Sequence, residues 1–74
     1  MKGTRVTLHT GDAFQAAYAL YRTAHDTRAL GGMTNIAINE YECAARIFKK
    51  VHADAMVRKC EDAIAALKAE QTDA

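Results

Sequence analysis

The chain contains no proline, no tryptophan, only two phenylalanines and four glycines in 74 residues. Without proline, no position is barred from a helix by a missing backbone donor. Glycine is confined to Gly3, Gly11, Gly31 and Gly32, which excludes a flexible linker and a glycine-rich phosphate loop. The two cysteines, Cys43 and Cys60, are too few and too far apart for a disulfide framework. No stretch approaches the roughly 18 apolar residues of a membrane span. The opening Met1–Leu8 also lacks the apolar run of a signal peptide. A cytoplasmic chain with reduced thiols and no contact with membrane is therefore expected. The formal charge of +1 gives no general attraction to nucleic acid or anionic lipid.

Catalytic motifs are missing as well. There is no His-Glu-x-x-His run and no nucleophile elbow. His9, His25, His52, Cys43 and Cys60 are ligand types, but none stand at the close spacings of a zinc site. The expectation is a protein that is not an enzyme and carries neither metal nor cofactor.

What the chain does have is one long stretch, Thr34–Gln71, free of both glycine and proline and bearing an apolar stripe. A helix over Thr34–Leu67 would be about 50 Å long. It carries Tyr41, Ala45, Phe48, His52, Met56, Cys60, Ile64 and Leu67 on one face, widened by Ala44, Ile47, Val51, Val57 and Ala63. Glu42–Arg46 and Asp54–Arg58 stand in the favourable acid-first order for i,i+4 pairs. His52, on the stripe, reads as a half-buried or seam residue rather than a ligand. The start of this helix is open between Thr34 and Asn39, the second choice leaving residues 33–38 extended.

The remaining elements are shorter. Residues 4–9 alternate, with Val6 and Leu8 opposed to Arg5, Thr7 and His9, the period of a half-buried strand. Asp12 followed by Gln15 resembles a capping box and opens a helix over 12–30. Its apolar face holds Ala13, Phe14, Ala17, Tyr18, Leu20, Tyr21 and Ala24, and Gly31-Gly32 ends it.

The predicted architecture is one mainly α domain over residues 1–74. It has strand 4–9, helix 12–30 and helix 34–69, the helices forming a hairpin with a long second arm. A short first helix cannot cover a long second one, so half the stripe calls for a second chain. An intertwined homodimer is expected, its core drawn from Val6, Leu8, Phe14, Ile47, Phe48, Val51, Met56 and Ile64. An antiparallel crossing near Val51–His52 would face Cys43 toward the mate's Cys60.

Two kinds of surface remain as sites. Tyr18, Tyr21 and Tyr41, with Arg22, are amphipathic groups of the kind that fill the centre of protein interfaces. Arg46, Lys49, Lys50, Arg58 and Lys59 form a basic side, with Asp54, Glu61 and Asp62 interspersed.

The order strand, helix, glycine turn, helix resembles the ribbon-helix-helix family of dimeric DNA-binding repressors. The residues carrying the likeness are Arg5-Val6-Thr7-Leu8-His9 and Gly32-Met33-Thr34-Asn35. The resemblance implies paired strands entering the major groove, with Arg5, Thr7 and His9 reading bases. It also implies that Thr34 and Asn35 hold a backbone phosphate. Both helices run longer than that family's, and near-neutral charge suits poorly a protein dependent on phosphate contacts.

The leading expectation is a small homodimeric regulator that binds and inhibits or modulates another protein. In this it looks like the compact accessory proteins that phages and mobile elements encode. A DNA-binding repressor is the alternative.

Overall fold

A computed structural model describes residues 10–72. Three helices account for nearly all of them: α1 (Thr10–Leu30), α2 (Thr34–Lys50) and α3 (Asp54–Thr72). No strand occurs among the described residues; the strand expected at residues 4–9 lies outside them, together with Arg5, Val6, Thr7, Leu8 and His9.

The first helix begins at Thr10, which places Asp12 inside its first turn rather than at the cap. There the carboxylate still faces the positive end of the helix, and Arg28 in the last turn faces the negative end. α1 stops because Gly31 and Gly32 take positive φ, 76° and 77°. The Gly31 amide then closes on the Arg28 carbonyl at 3.1 Å.

Of the two possible starts for the second helix, the chain uses the earlier. Met33 caps α2 with its carbonyl, which accepts from the Ala37 amide at 3.0 Å. Residues 34–38 are therefore helical, not extended, and Ile36 and Ile38 face different ways: Ile36 is 50 % exposed and Ile38 only 7 %.

The long second helix expected over 34–69 does not exist. It is broken at Val51-His52-Ala53, where the chain reverses. His52 adopts φ 60°, donates to the Lys49 carbonyl at 3.1 Å, and the Ala53 amide donates to the Phe48 carbonyl at 2.9 Å. This pair of bonds is a Schellman motif with histidine at the position usually held by glycine. Histidine is among the residues that tolerate the left-handed region best. The next helix starts at once, as the Met56 and Val57 amides both reach the Ala53 carbonyl at 3.0 Å.

Energetics explain the reversal. A left-handed residue costs about 1–2 kcal/mol, whereas each large apolar side chain buried returns about 1.5–3 kcal/mol. Folding α3 back covers the stripe without the entropy cost of recruiting another molecule. The intertwined dimer built on an uncovered stripe is thereby corrected: the partner for the stripe is the chain's own C-terminal third.

α2 is the central helix and packs antiparallel against both neighbours. Phe14 of α1 meets Phe48 near the end of α2, with ring centroids 5.2 Å apart. Asn35 at the start of α2 accepts from the Gln71 side chain of α3 at 2.7 Å. Direct contact between α1 and α3 is slight by comparison. The core falls into two clusters. Toward the glycine turn lie Ala24, Ala37, Ile38, Tyr41, Ala63 and Leu67. Toward the His52 turn lie Ala17, Ala44, Phe48 and Cys60, flanked by Phe14, Ile47, Met56 and Val57. Ala17 and Ala24 on α1, like Ala37 and Ala44 on α2, are wholly buried. Each pair is spaced by two turns, so small side chains let the two helices approach closely.

Candidate protein-binding surface

Phe14, Tyr18, Tyr21 and His25 follow one another along α1 at steps of four, three and four residues, the spacing of one helix face. Their rings are in serial contact. Phe14 stacks on Tyr18 at 6.4 Å, Tyr18 meets Tyr21 at 5.9 Å, and Tyr21 meets His25 edge-on at 4.5 Å.

Two rings of α2 support this row from below. Phe48 packs edge-on beneath Phe14, and Tyr41 packs edge-on against Tyr21 at 5.8 Å and against His25 at 5.4 Å. The Tyr41 hydroxyl and Nδ1 of His25 share a hydrogen bond that ties the row to the ring beneath it. The row therefore rests on rigid, fully buried groups, since neither Tyr41 nor Phe48 has any exposed surface.

Exposure divides the row into support and contact. Tyr18 is 41 % exposed, Tyr21 is half-buried, and His25 and Arg22 are exposed. Burial, then the neighbouring Tyr41, Cys60 and Tyr18, push the Tyr21 phenol above its ordinary value. It stays a neutral donor. Arg22 makes no ion pair within 4 Å among the described residues, so its guanidinium is open to a partner. Aromatic groups held in place before binding lose little conformational freedom when they are covered.

Of the four residues marked for protein binding, the fold brings Tyr18, Tyr21 and Tyr41 into one cluster and puts Arg22 one turn from Tyr18. Tyr41 lies beneath the surface and serves as its foundation. Phe14 and His25 belong to the row too, although neither was singled out for it. Their signal is present in the spacing of four, three and four residues, although Phe14 also fits a dimer core and His25 is a ligand type.

The residues expected at a dimer core lie largely within the chain's own core. Phe48 is fully buried, while Phe14, Ile47, Val51, Met56 and Ile64 are half-buried. Cys60 is buried and Cys43 exposed, both as free thiols. The point where Cys60 was to face a second chain is occupied by Ala44 and Phe48 of the same one.

The basic side is not continuous. Arg46 and Lys49 line a shallow cleft of about 380 Å³ together with Glu42 and Glu61. Arg58 and Lys59 line another of about 410 Å³ with Asp54 and Asp62. Neither expected i,i+4 pair closes; the ion pair among the described residues is Arg28–Glu70, at 3.7 Å between α1 and α3. Thr34 is half-buried and Asn35 exposed at the start of α2. No three His, Cys, Asp or Glu side chains gather at metal-binding range among the described residues. No helix there is long and apolar enough to cross a membrane. No family model, curated protein or solved structure matches this chain.

Proposed function

We propose that this chain is a small, non-enzymatic, cytoplasmic regulatory protein that self-associates and binds another protein, modulating it by steric contact. The observation that carries this reading is the aromatic row of α1, in which Tyr18 is 41 % exposed on a base of buried rings. A tyrosine held by neighbouring rings, one turn from an exposed arginine with no ion pair among the described residues, is the composition of an interface centre. The row is short, so it fits a groove or the edge of an interface on the partner, and blocks whatever else would enter there.

Pull-down from host lysate tests the reading. Wild type should retain a stoichiometric protein that a Tyr18→Ala, Arg22→Ala variant of unchanged helicity loses. Retention of nucleic acid alone by the wild type would defeat it.

A second reading, DNA binding through the N-terminal segment, draws support from one observation. α2 begins at Thr34 with no acidic residue in its first turn, leaving its amide end open to an anion. It predicts salt-sensitive duplex binding that falls on Arg5→Ala. Duplex binding indifferent to that substitution would remove it.

A further inference from the structure

The two reversals of the chain differ in whether the chain can undo them. Gly31 and Gly32, between α1 and α2, take φ of 76° and 77°; two adjacent glycines weaken any helix that would run through them. Val51-His52-Ala53, between α2 and α3, holds neither glycine nor proline, and all of Thr34–Gln71 lacks both. His52, at φ 60°, is the one non-glycine residue with positive φ among the described residues. We infer that this turn is a hinge. When it straightens, α2 and α3 run on as one helix, and two copies of the chain exchange their α3 segments. The inference deepens the self-association part of the function proposed above, and rests on that part alone.

What the exchange gains is local. Straightening returns His52 to ordinary helical φ in both copies, so the strain of two closed turns is released. It also joins the carbonyl end of α2 to the amide end of α3. Backbone groups that two helix ends leave without intrahelical partners then find them. Short connections under strain are where segment exchange arises.

What it gives up is remade between copies. Ala63 and Leu67 leave their own Tyr41 and Ile38 for the same residues of the mate, and Cys60 leaves Phe48 and Ala44 for theirs. The Arg28–Glu70 and Asn35–Gln71 contacts re-form across the two chains. A second copy's α3 is the occupant whose fit to this face of α2 the structure displays, because it is the same segment. The apolar period that runs through His52 keeps both packing faces on one side of the straight helix. Each α3 then lies antiparallel beside the other copy's α2.

The entropy of association opposes the exchange, and concentration offsets it. A dilute chain therefore stays closed, as described above. Because α3 must leave two buried clusters before it can be exchanged, the forms interconvert slowly, and refolding at high concentration is the route to the dimer. α1 touches α3 only slightly and remains on its own α2. The row of Phe14, Tyr18, Tyr21 and His25 thus survives, and the dimer carries two of them. A partner with two binding places is held more tightly than one row could hold it.

Refolding at high and low concentration, followed by sedimentation velocity with helicity checked by circular dichroism, provides the test. Wild type refolded at high concentration should contain a dimer that dilute refolding lacks. His52→Gly takes φ 60° freely and weakens a continuous helix, so it should lower the dimer association constant by about tenfold or more. His52→Ala has the opposite preferences and should raise it by about tenfold. Spin labels then identify the form, placed at Asn35→Cys and Gln71→Cys in a Cys43→Ser, Cys60→Ala chain. The closed bundle holds these two side chains 2.7 Å apart, whereas they are 36 residues apart in sequence, about 54 Å along a straight helix. With labelled chains diluted into an excess of unlabelled ones, the dimer should show the long distance. A dimer that keeps the short distance is joined by another surface, and would overturn the exchange while leaving self-association in place. An association constant indifferent to both His52 variants would overturn it equally. A wild type that stays monomeric after concentrated refolding would remove the exchange and self-association together, leaving partner binding to the pull-down.

Discussion

The bundle reverses direction twice, and the two turns use different residues for similar geometry. Between α1 and α2, Gly31 and Gly32 take φ of 76° and 77°, where a built Cβ would meet nothing within 4 Å. Between α2 and α3, His52 takes φ 60° with a full side chain. At the first turn the backbone conformation alone selects glycine. At the second, the local strain is offset by the Schellman bonds to Phe48 and Lys49 and by packing of Ala53 and Phe48 in one cluster. The comparison teaches that a left-handed residue needs glycine only where its neighbours offer little in return.

The largest expected effect comes from removing that return. Phe48 is fully buried, contacts Phe14, and its carbonyl holds the Ala53 amide. Phe48→Ala should cost about 3–5 kcal/mol, a large share of the roughly 4–11 kcal/mol available to a domain of this size. Chemical denaturation should show the loss. A change below about 1 kcal/mol would mean that the second turn is held by something else.

Gly32→Ala should have a smaller effect, about 1–2 kcal/mol of destabilisation, through backbone strain alone because space is available. The converse substitution, His52→Gly, should stabilise by about 0.5–1 kcal/mol as strain at φ 60° is relieved. Thermal melts of the pair give opposite signs if the comparison is right. A destabilised His52→Gly would show that the imidazole itself contributes to the turn.

An effect confined to alkaline pH lies beside the second turn. Burial, and secondarily the Glu61 carboxylate, push the Cys60 thiol from 9.0 up to about 11. The folded chain therefore keeps this proton longer than the unfolded chain does. The resulting contribution is whole below pH 9 and is lost as pH rises toward 11. Stability of wild type should fall across that window relative to Cys60→Ala. A thiol reagent at neutral pH should label exposed Cys43 in the folded protein and reach Cys60 only on opening.

These two turns also mark where sequence reading succeeds and where it stops. Gly31-Gly32 announces a helix end because glycine's freedom is a local property. The second turn hides because Phe48, His52 and Met56 continue the four-residue spacing straight through it, so the apolar period does not falter. A fainter signal lay in the charges. Lys49-Lys50 followed by Asp54 is the pattern of one helix ending and another beginning, but Asp54 also fits an i,i+4 pair with Arg58 inside a continuous helix. The candidate site was partly legible for a similar reason. The three tyrosines were visible as interface residues, while nothing in their spacing told which of them would lie underneath.

What the sequence determined by itself is helicity, the apolar face of each helix and the first turn, since all three follow from backbone propensity and side-chain period. The tertiary structure decided which surface covers which. The stripe of residues 41–67 fits a second molecule and the chain's own fold equally well as a pattern. Only the reversal at His52, which buries it without the entropy of association, selects between them. The same fold turns Tyr41 into a foundation and leaves Tyr18, Leu30, Met33 and Ile36 as the large apolar groups exposed among the described residues.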